Sequence, residues 1–134
     1  MERVPAPVVI ALLLNHHRVF MTQRNAPKPL AGEWEFPGGN VEMEEPPVDA
    51  LRRELIEELE LPVRRLILFG AYSHLYEFPE GPVHYVLLAY RANVRDGAWA
   101  RAGRWMGAEA LEAASVVAGS VPIVSDLLTA HLVR

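Results

Sequence analysis

Eight consecutive apolar residues, Pro7-Val8-Val9-Ile10-Ala11-Leu12-Leu13-Leu14, constrain this chain more than any other feature. A strand with one wet face alternates apolar and polar side chains, so a run without alternation must be covered on both faces. The covering layers have to come from elsewhere in the chain. The run is too short to span a bilayer as a helix. Arg3 precedes it as in a secretory leader, but Asn15-His16-His17-Arg18 follows where a small-residue cleavage pattern would stand. The reading is a core strand of a cytoplasmic protein with no membrane partner. Val19 to Arg24 reads as its hairpin partner, with the polar tetrapeptide as the turn.

From Pro46 the period changes. Val48, Leu51, Leu55 and Leu59 recur at helical spacing and form one apolar stripe. Pro46 and Pro47 suit a first helical turn, and Pro62 forces a stop soon after Leu59. Asn25 to Glu33 and Pro37-Gly38-Gly39 read as loops. Residues 63–75, 82–93 and 103–106 read as further strands, and a last helix carrying Leu127 and Leu128 reaches about Leu132. The sum is an α/β layered sandwich around a mixed sheet, one domain over residues 1–134.

Charge and composition narrow the chemistry. The net charge is −4, and Lys28 is the only lysine among thirteen cationic residues, so no basic face is broad enough to wrap a nucleic-acid polymer. With no cysteine, thiolate metal sites and a cysteine nucleophile are excluded. The histidines, His16-His17 in a turn and His74, His84 and His131 apart from one another, show no metal-ligand spacing.

Glu54, Glu57 and Glu58 fall within roughly one third of the helix circumference, beside the apolar stripe. Most such acids form a solvated face, yet each close pair here costs about a few tenths of a kcal/mol, with little compensating lysine. Clustered carboxylates just after a Gly-Gly loop make a hard-oxygen site suited to Mg2+ or Mn2+, which completes its coordination with water and substrate phosphates.

Gly39, five residues, Glu45, seven residues, Arg53-Glu54-Leu55, one residue, Glu57-Glu58, one residue, then Glu60-Leu61 resembles the Nudix box. Only Glu60 departs, standing where that family has glycine. Met21-Thr22-Gln23-Arg24, Trp34-Glu35-Phe36-Pro37-Gly38-Gly39, Tyr76-Glu77-Phe78-Pro79, Trp105-Met106 and Pro122-Ile123 are similar to elements of the MutT-type branch. The resemblance implies a Nudix-type α/β/α sandwich. It also implies metal ligation by Glu54, Glu57, Glu58 and the Gly38 carbonyl, with Mg2+ as cofactor. Glu54 or Glu57 would be the general base and Arg53 would orient the acids. Gly39 and Glu45 would shape the loop–helix junction. Arg24 would contact phosphate, while Phe36, Phe78 and Ser120 would line the nucleoside pocket. Ala118-Gly119-Ser120-Val121-Pro122 stands where relatives place an Asn or Asp that reads the purine edge, so Ser120 or a backbone group would have to serve. Asp96 is the one acid of its loop, a few residues ahead of the place where some relatives carry an extra ligand.

The activity so implied is Mg2+-dependent hydrolysis of a nucleoside triphosphate to monophosphate and pyrophosphate, clearing damaged nucleotides such as 8-oxo-dGTP. The alternatives are an ADP-ribose or dinucleoside polyphosphate hydrolase, for which Pro79 and Tyr76 lie near diagnostic positions, and a non-catalytic nucleotide sensor. Sensor modules commonly lose box glutamates, and this chain keeps them all. The partner is a small nucleoside di- or triphosphate, and the protein is a monomer or homodimer.

Overall fold

The computed structural model describes residues 4–134, so Arg3 lies outside it. The elements in chain order are β1 (Ala6–Asn15), β2 (Arg18–Gln23), β3 (Trp34–Glu35), β4 (Gly38–Asn40), α1 (Pro47–Leu59), β5 (Ile67–Phe78) and β6 (Gly81–Asn93). A short 3-10 turn (Ala98–Ala102), β7 (Arg104–Met106), α2 (Ala108–Ala113), a second 3-10 turn (Ala118–Ser120) and α3 (Val121–Thr129) follow.

The apolar run becomes the strand about which everything else is arranged. Along one side β1 pairs in parallel with β6, from Ala6 opposite Tyr85 to Leu14 opposite Asn93. Its other side is divided between two antiparallel partners. The first half takes β4, with Ile10 opposite Gly38, and the end takes β2, with Leu14 opposite Val19. The strand order is β3-β2-β1-β6-β5, with β7 added on β2, so the sheet is mixed.

Alternation along β1 feeds two cores. Val9, Ala11 and Leu13 point to the layer where Ala50, Leu51, Leu55 and Leu59 of α1 pack with Phe20. Ile10, Leu12 and Leu14 point to the opposite layer, against Leu111 of α2 and Ile123 and Leu127 of α3. Each of these β1 side chains is at most 6% exposed, which is why the run needs no polar residue.

Three expectations are corrected and one element is added. Pro37-Gly38-Gly39 is not wholly a loop, since Gly38 to Asn40 form a strand that docks on β1. The strand expected from residue 63 begins at Ile67, after the stretch following Pro62, and it continues to Phe78 through hairpin pairing with β6. The last helix ends at Thr129, before a left-handed His131 (φ 58°). The helix at Ala108–Ala113 was not anticipated. It is too short for a helical period to show, although its Ala, Glu and Leu are good helix formers.

Candidate active site

β4 and α1 build one end of the site through two glycines with different tasks. At Gly38 (φ 157°) a side chain would start 2.0 Å from the Val9 carbonyl oxygen, so only glycine lets β4 approach β1. At Gly39 it would start 2.4 Å from the carboxyl carbon of Glu54. The carboxylate of α1 therefore lies directly on the glycine backbone, a place that any Cβ would fill.

Arg53 organises the acids around that contact. Its Nε and Nη2 donate to Glu45 Oε2 and Oε1 at 2.8 and 3.0 Å, a two-pronged pairing. Nη1 donates to Glu54 Oε1 at 3.0 Å and Glu57 Oε2 at 3.2 Å, and Nη2 also reaches the Asn40 carbonyl at 3.1 Å. Glu45 Oε1 accepts the Glu42 N–H at 3.1 Å, so this carboxylate ties the loop before α1 to the helix. The Arg53 bond, aided by that N–H, holds the Glu45 carboxyl below the usual carboxylate range.

One guanidinium thus faces four carboxylates within 4 Å, of Glu42, Glu45, Glu54 and Glu57. Glu58 has no share in it. Although exposed as a residue, it reaches the cavity beside Glu54. Burial of its carboxyl, then the Glu54 carboxylate, push it up to about 7, while the Gly38 amide draws it partly back.

Among the described residues no three acids or histidines converge as a ready-made metal cage; Arg53 holds Glu54 and Glu57 in ion pairs instead. The donor set nonetheless fits a hard divalent cation. It offers only oxygen, carries more negative charge than Arg53 cancels, and lies against a glycine backbone that no side chain shields.

A cavity of about 330 Å³ leads away from this acidic end. Its far end is aromatic, with Tyr76 and Phe78 of β5 and Tyr85 of β6, closed by Gly119 and the buried Ser120. The Tyr76 and Phe78 rings are stacked in parallel with centroids 5.3 Å apart. Phe36 reaches the wall from behind, 3% exposed. Two cations line the cavity, Arg24 and Lys28. Arg24 is already engaged, with Nη1 donating to Glu35 Oε2 at 2.7 Å and Nε to the Pro29 carbonyl at 2.8 Å.

The structure therefore places Glu54, Glu58, Gly38, Gly39, Arg24, Phe36, Phe78 and Ser120 on or beside one cavity, with Glu57 and Glu45 reached through Arg53. Asp96 is otherwise occupied, its Oδ1 accepting from Gly97 N–H at 2.9 Å and the Trp105 indole at 3.0 Å. Glu60 takes up the conformation that glycine favours (φ 53°, ψ 34°), so the helix ends in a left-handed cap rather than by the action of Pro62 alone. Sequence reasoning missed Glu35, Lys28 and Tyr85. Glu35 carried a signal, because β2 and β3 pair Thr22 with Glu35 and so bring Arg24 near it. Tyr85 carried none, since it reads as an ordinary strand residue.

A family model described as NUDIX domain matches residues 4–127. The chain is 30% identical over 125 residues to the 8-oxo-dGTP diphosphatase of Escherichia coli K12, covering 90% of this chain and 94% of that protein. It is 42% identical over 65 residues to the 8-oxo-dGTP diphosphatase of Proteus vulgaris, a match spanning 48% of this chain and 56% of that one. The crystal structure of a MutT NUDIX hydrolase from Burkholderia pseudomallei superposes with a TM-score of 0.75 at 25% identity, covering 94% of this chain and 99% of that one.

Proposed function

We propose that this chain, which belongs to the Nudix family of hydrolases and to its MutT-type branch, hydrolyses nucleoside triphosphates to monophosphate and pyrophosphate and so clears damaged or surplus nucleotides. The observation that carries the reading is the single cavity joining an acidic, glycine-floored end to an aromatic end. A nucleotide has the matching polarity, with phosphates at one end and a flat base at the other. The likeness to two proteins named 8-oxo-dGTP diphosphatase makes an oxidised purine triphosphate the first substrate to try.

In this reading Glu54, Glu57 and Glu58, with the Gly38 carbonyl, hold a divalent cation, Mg2+ by preference and Mn2+ as a substitute. Bound there, the cation neutralises phosphate charge and makes water easier to deprotonate. Glu54 or Glu57 accepts the proton of the attacking water. Arg53 keeps both carboxylates aimed by one guanidinium, and Glu45 fixes that guanidinium to the loop. Arg24 and Lys28 meet the phosphates, and Arg24 does so from a position held by Glu35. Phe78 stacks the base, Phe36 backs it, and Ser120 presents its hydroxyl to the base edge as donor or acceptor. Residues 1–134 form one domain, acting as monomer or homodimer in the cytoplasm. Among the described residues no helix is long and apolar enough to cross a membrane.

The test is a substrate panel with and without Mg2+: the normal triphosphates, 8-oxo-dGTP, ADP-ribose and diadenosine polyphosphates. The expected result is metal-dependent release of a monophosphate and pyrophosphate from a triphosphate. Cleavage of ADP-ribose or a dinucleotide alone moves the activity within the family. Nucleotide binding without any turnover makes the protein a sensor.

A further inference from the structure

The aromatic end of the cavity contains a hydrogen bond that packing alone does not require. The Tyr76 hydroxyl accepts the Gly119 backbone N–H at 2.7 Å, joining β5 to the turn Ala118–Ser120 across 43 residues of sequence. The two groups are in close contact, since a side chain at Gly119 would start 2.9 Å from that hydroxyl and 3.2 Å from the His74 Cβ. The phenol ring is held on three sides, edge-on to His74 at 4.4 Å and Tyr85 at 5.8 Å, and stacked on Phe78. The next residue after Gly119 is Ser120, which is 4% exposed and lines the cavity.

We propose that Tyr76 is a positioning residue for base recognition, its hydroxyl fixing the turn that presents Ser120 to the nucleobase. The proposal rests on the nucleotide reading of the cavity and names the device that sets its base preference. A lone hydroxyl discriminates poorly unless its place is fixed, because it rotates and both donates and accepts. The turn has other anchors on its chain-entry side, where Ser115 and Val117 exchange backbone hydrogen bonds with Trp34. Between those anchors and α3, the Tyr76 bond is the side-chain restraint on the segment. Burial raises the Tyr76 phenol above its ordinary range, so it stays protonated at working pH.

Two variants test this without relying on one change. Tyr76→Phe keeps the ring and its stacking but leaves the Gly119 N–H unpaired. Gly119→Ala keeps the hydroxyl and pushes the turn off it. Both are measured for Tm and then for kcat and KM on a purine triphosphate and on a deoxyribose triphosphate lacking the base. The expected result is a rise in KM of about tenfold with the base present, the loss in kcat being smaller. The base-free compound should show the smaller effect. Equal KM in wild type and Tyr76→Phe overturns the proposal, as does an equal loss on both compounds. Calorimetric binding of the nucleoside monophosphate to wild type and Tyr76→Phe separates this from the hydrolase reading. No turnover by wild type, with monophosphate binding about tenfold weaker in Tyr76→Phe, removes the activity and keeps the positioning role. Equal monophosphate binding, or none by wild type, removes the role.

Discussion

The two ends of the cavity are built in opposite ways. At the acidic end the glycines, Glu45, Arg53 and the three glutamates lie on one continuous stretch from Gly38 to Glu58, and local hydrogen bonds from Arg53 hold Glu45, Glu54, Glu57 and the Asn40 carbonyl together. At the aromatic end Tyr76, Tyr85 and Ser120 come from a hairpin and a distant turn, joined by a bond spanning 43 residues. On the proposed reading, reaction chemistry is written in one short segment, whereas selectivity depends on how distant segments pack. Changes at the first end should affect turnover, and changes at the second should affect which base is accepted.

The largest expected effect is at the acidic end. Glu57→Gln keeps the length and an oxygen that can accept from Arg53 but removes the charge. It should lower kcat by about a thousandfold with the Tm near wild type. The side chain is 58% exposed, so the fold does not depend on it. Full activity would remove Glu57 from the metal site and leave Glu54 as the base to test.

At the two cations proposed to meet the phosphates, Arg24 and Lys28, a smaller effect is expected and should fall on KM. Arg24→Ala removes a cavity cation and leaves Glu35 without its partner at 2.7 Å. A rise in KM of roughly tenfold or more is expected, with metal affinity little altered. Lys28→Ala should cost less, because its side chain is exposed and unconstrained by an ion pair among the described residues. An unchanged kcat/KM in both variants would put the phosphates elsewhere.

A pH test separates the acids from the rest. The Glu58 carboxyl, pushed up to about 7, is ordinarily protonated in the folded state below that pH. A carboxyl raised on folding contributes stability that is fully present below its unfolded pKa and lost as pH rises through the folded one. The metal-free protein should therefore lose that contribution between about pH 4.5 and 7. Mg2+ should restore it, since a ligand must be deprotonated to bind. The gain in Tm on adding Mg2+ in place of EDTA should be larger at pH 8 than at pH 5.5, and a pH-independent gain would place the cation away from Glu58.

This contrast also explains what the sequence could reveal. The unbroken run at Pro7–Leu14 dictated two covering layers, and both are present because a run without alternation has no other stable outcome. The acids of α1 were legible because helical spacing converts sequence separation directly into angle. Lys28 and Tyr85 were not, since nothing local distinguishes a strand or loop residue beside a cavity from one facing solvent. Gly38 to Asn40 was misread for a related reason. Two glycines signal a turn, and only the close approach of β1 shows that they serve strand pairing.

The smallest effect comes from the one position where the legible end departs from its pattern. Glu60 is held left-handed at the end of α1, with its N–H bonded to the Ile56 carbonyl at 2.9 Å and that of Leu61 to Leu55 at 3.2 Å. That conformation costs a residue with a Cβ about 1 kcal/mol, and a negative charge at a helix C-terminus adds about a few tenths more. Glycine would lose more chain entropy on folding, which offsets part of the gain. Glu60→Gly should raise the stability by about 1 kcal/mol, or the Tm by roughly 3–5 °C. Activity should stay within twofold, because Glu54, Glu57 and Glu58 all lie upstream of the cap. A more stable enzyme of equal activity would mean that the glycine at this place serves the helix end. A change in kcat or in Mg2+ affinity would mean that the cap sets the aim of Glu58, two residues before it, and that the acidic end is less local than its hydrogen bonds suggest.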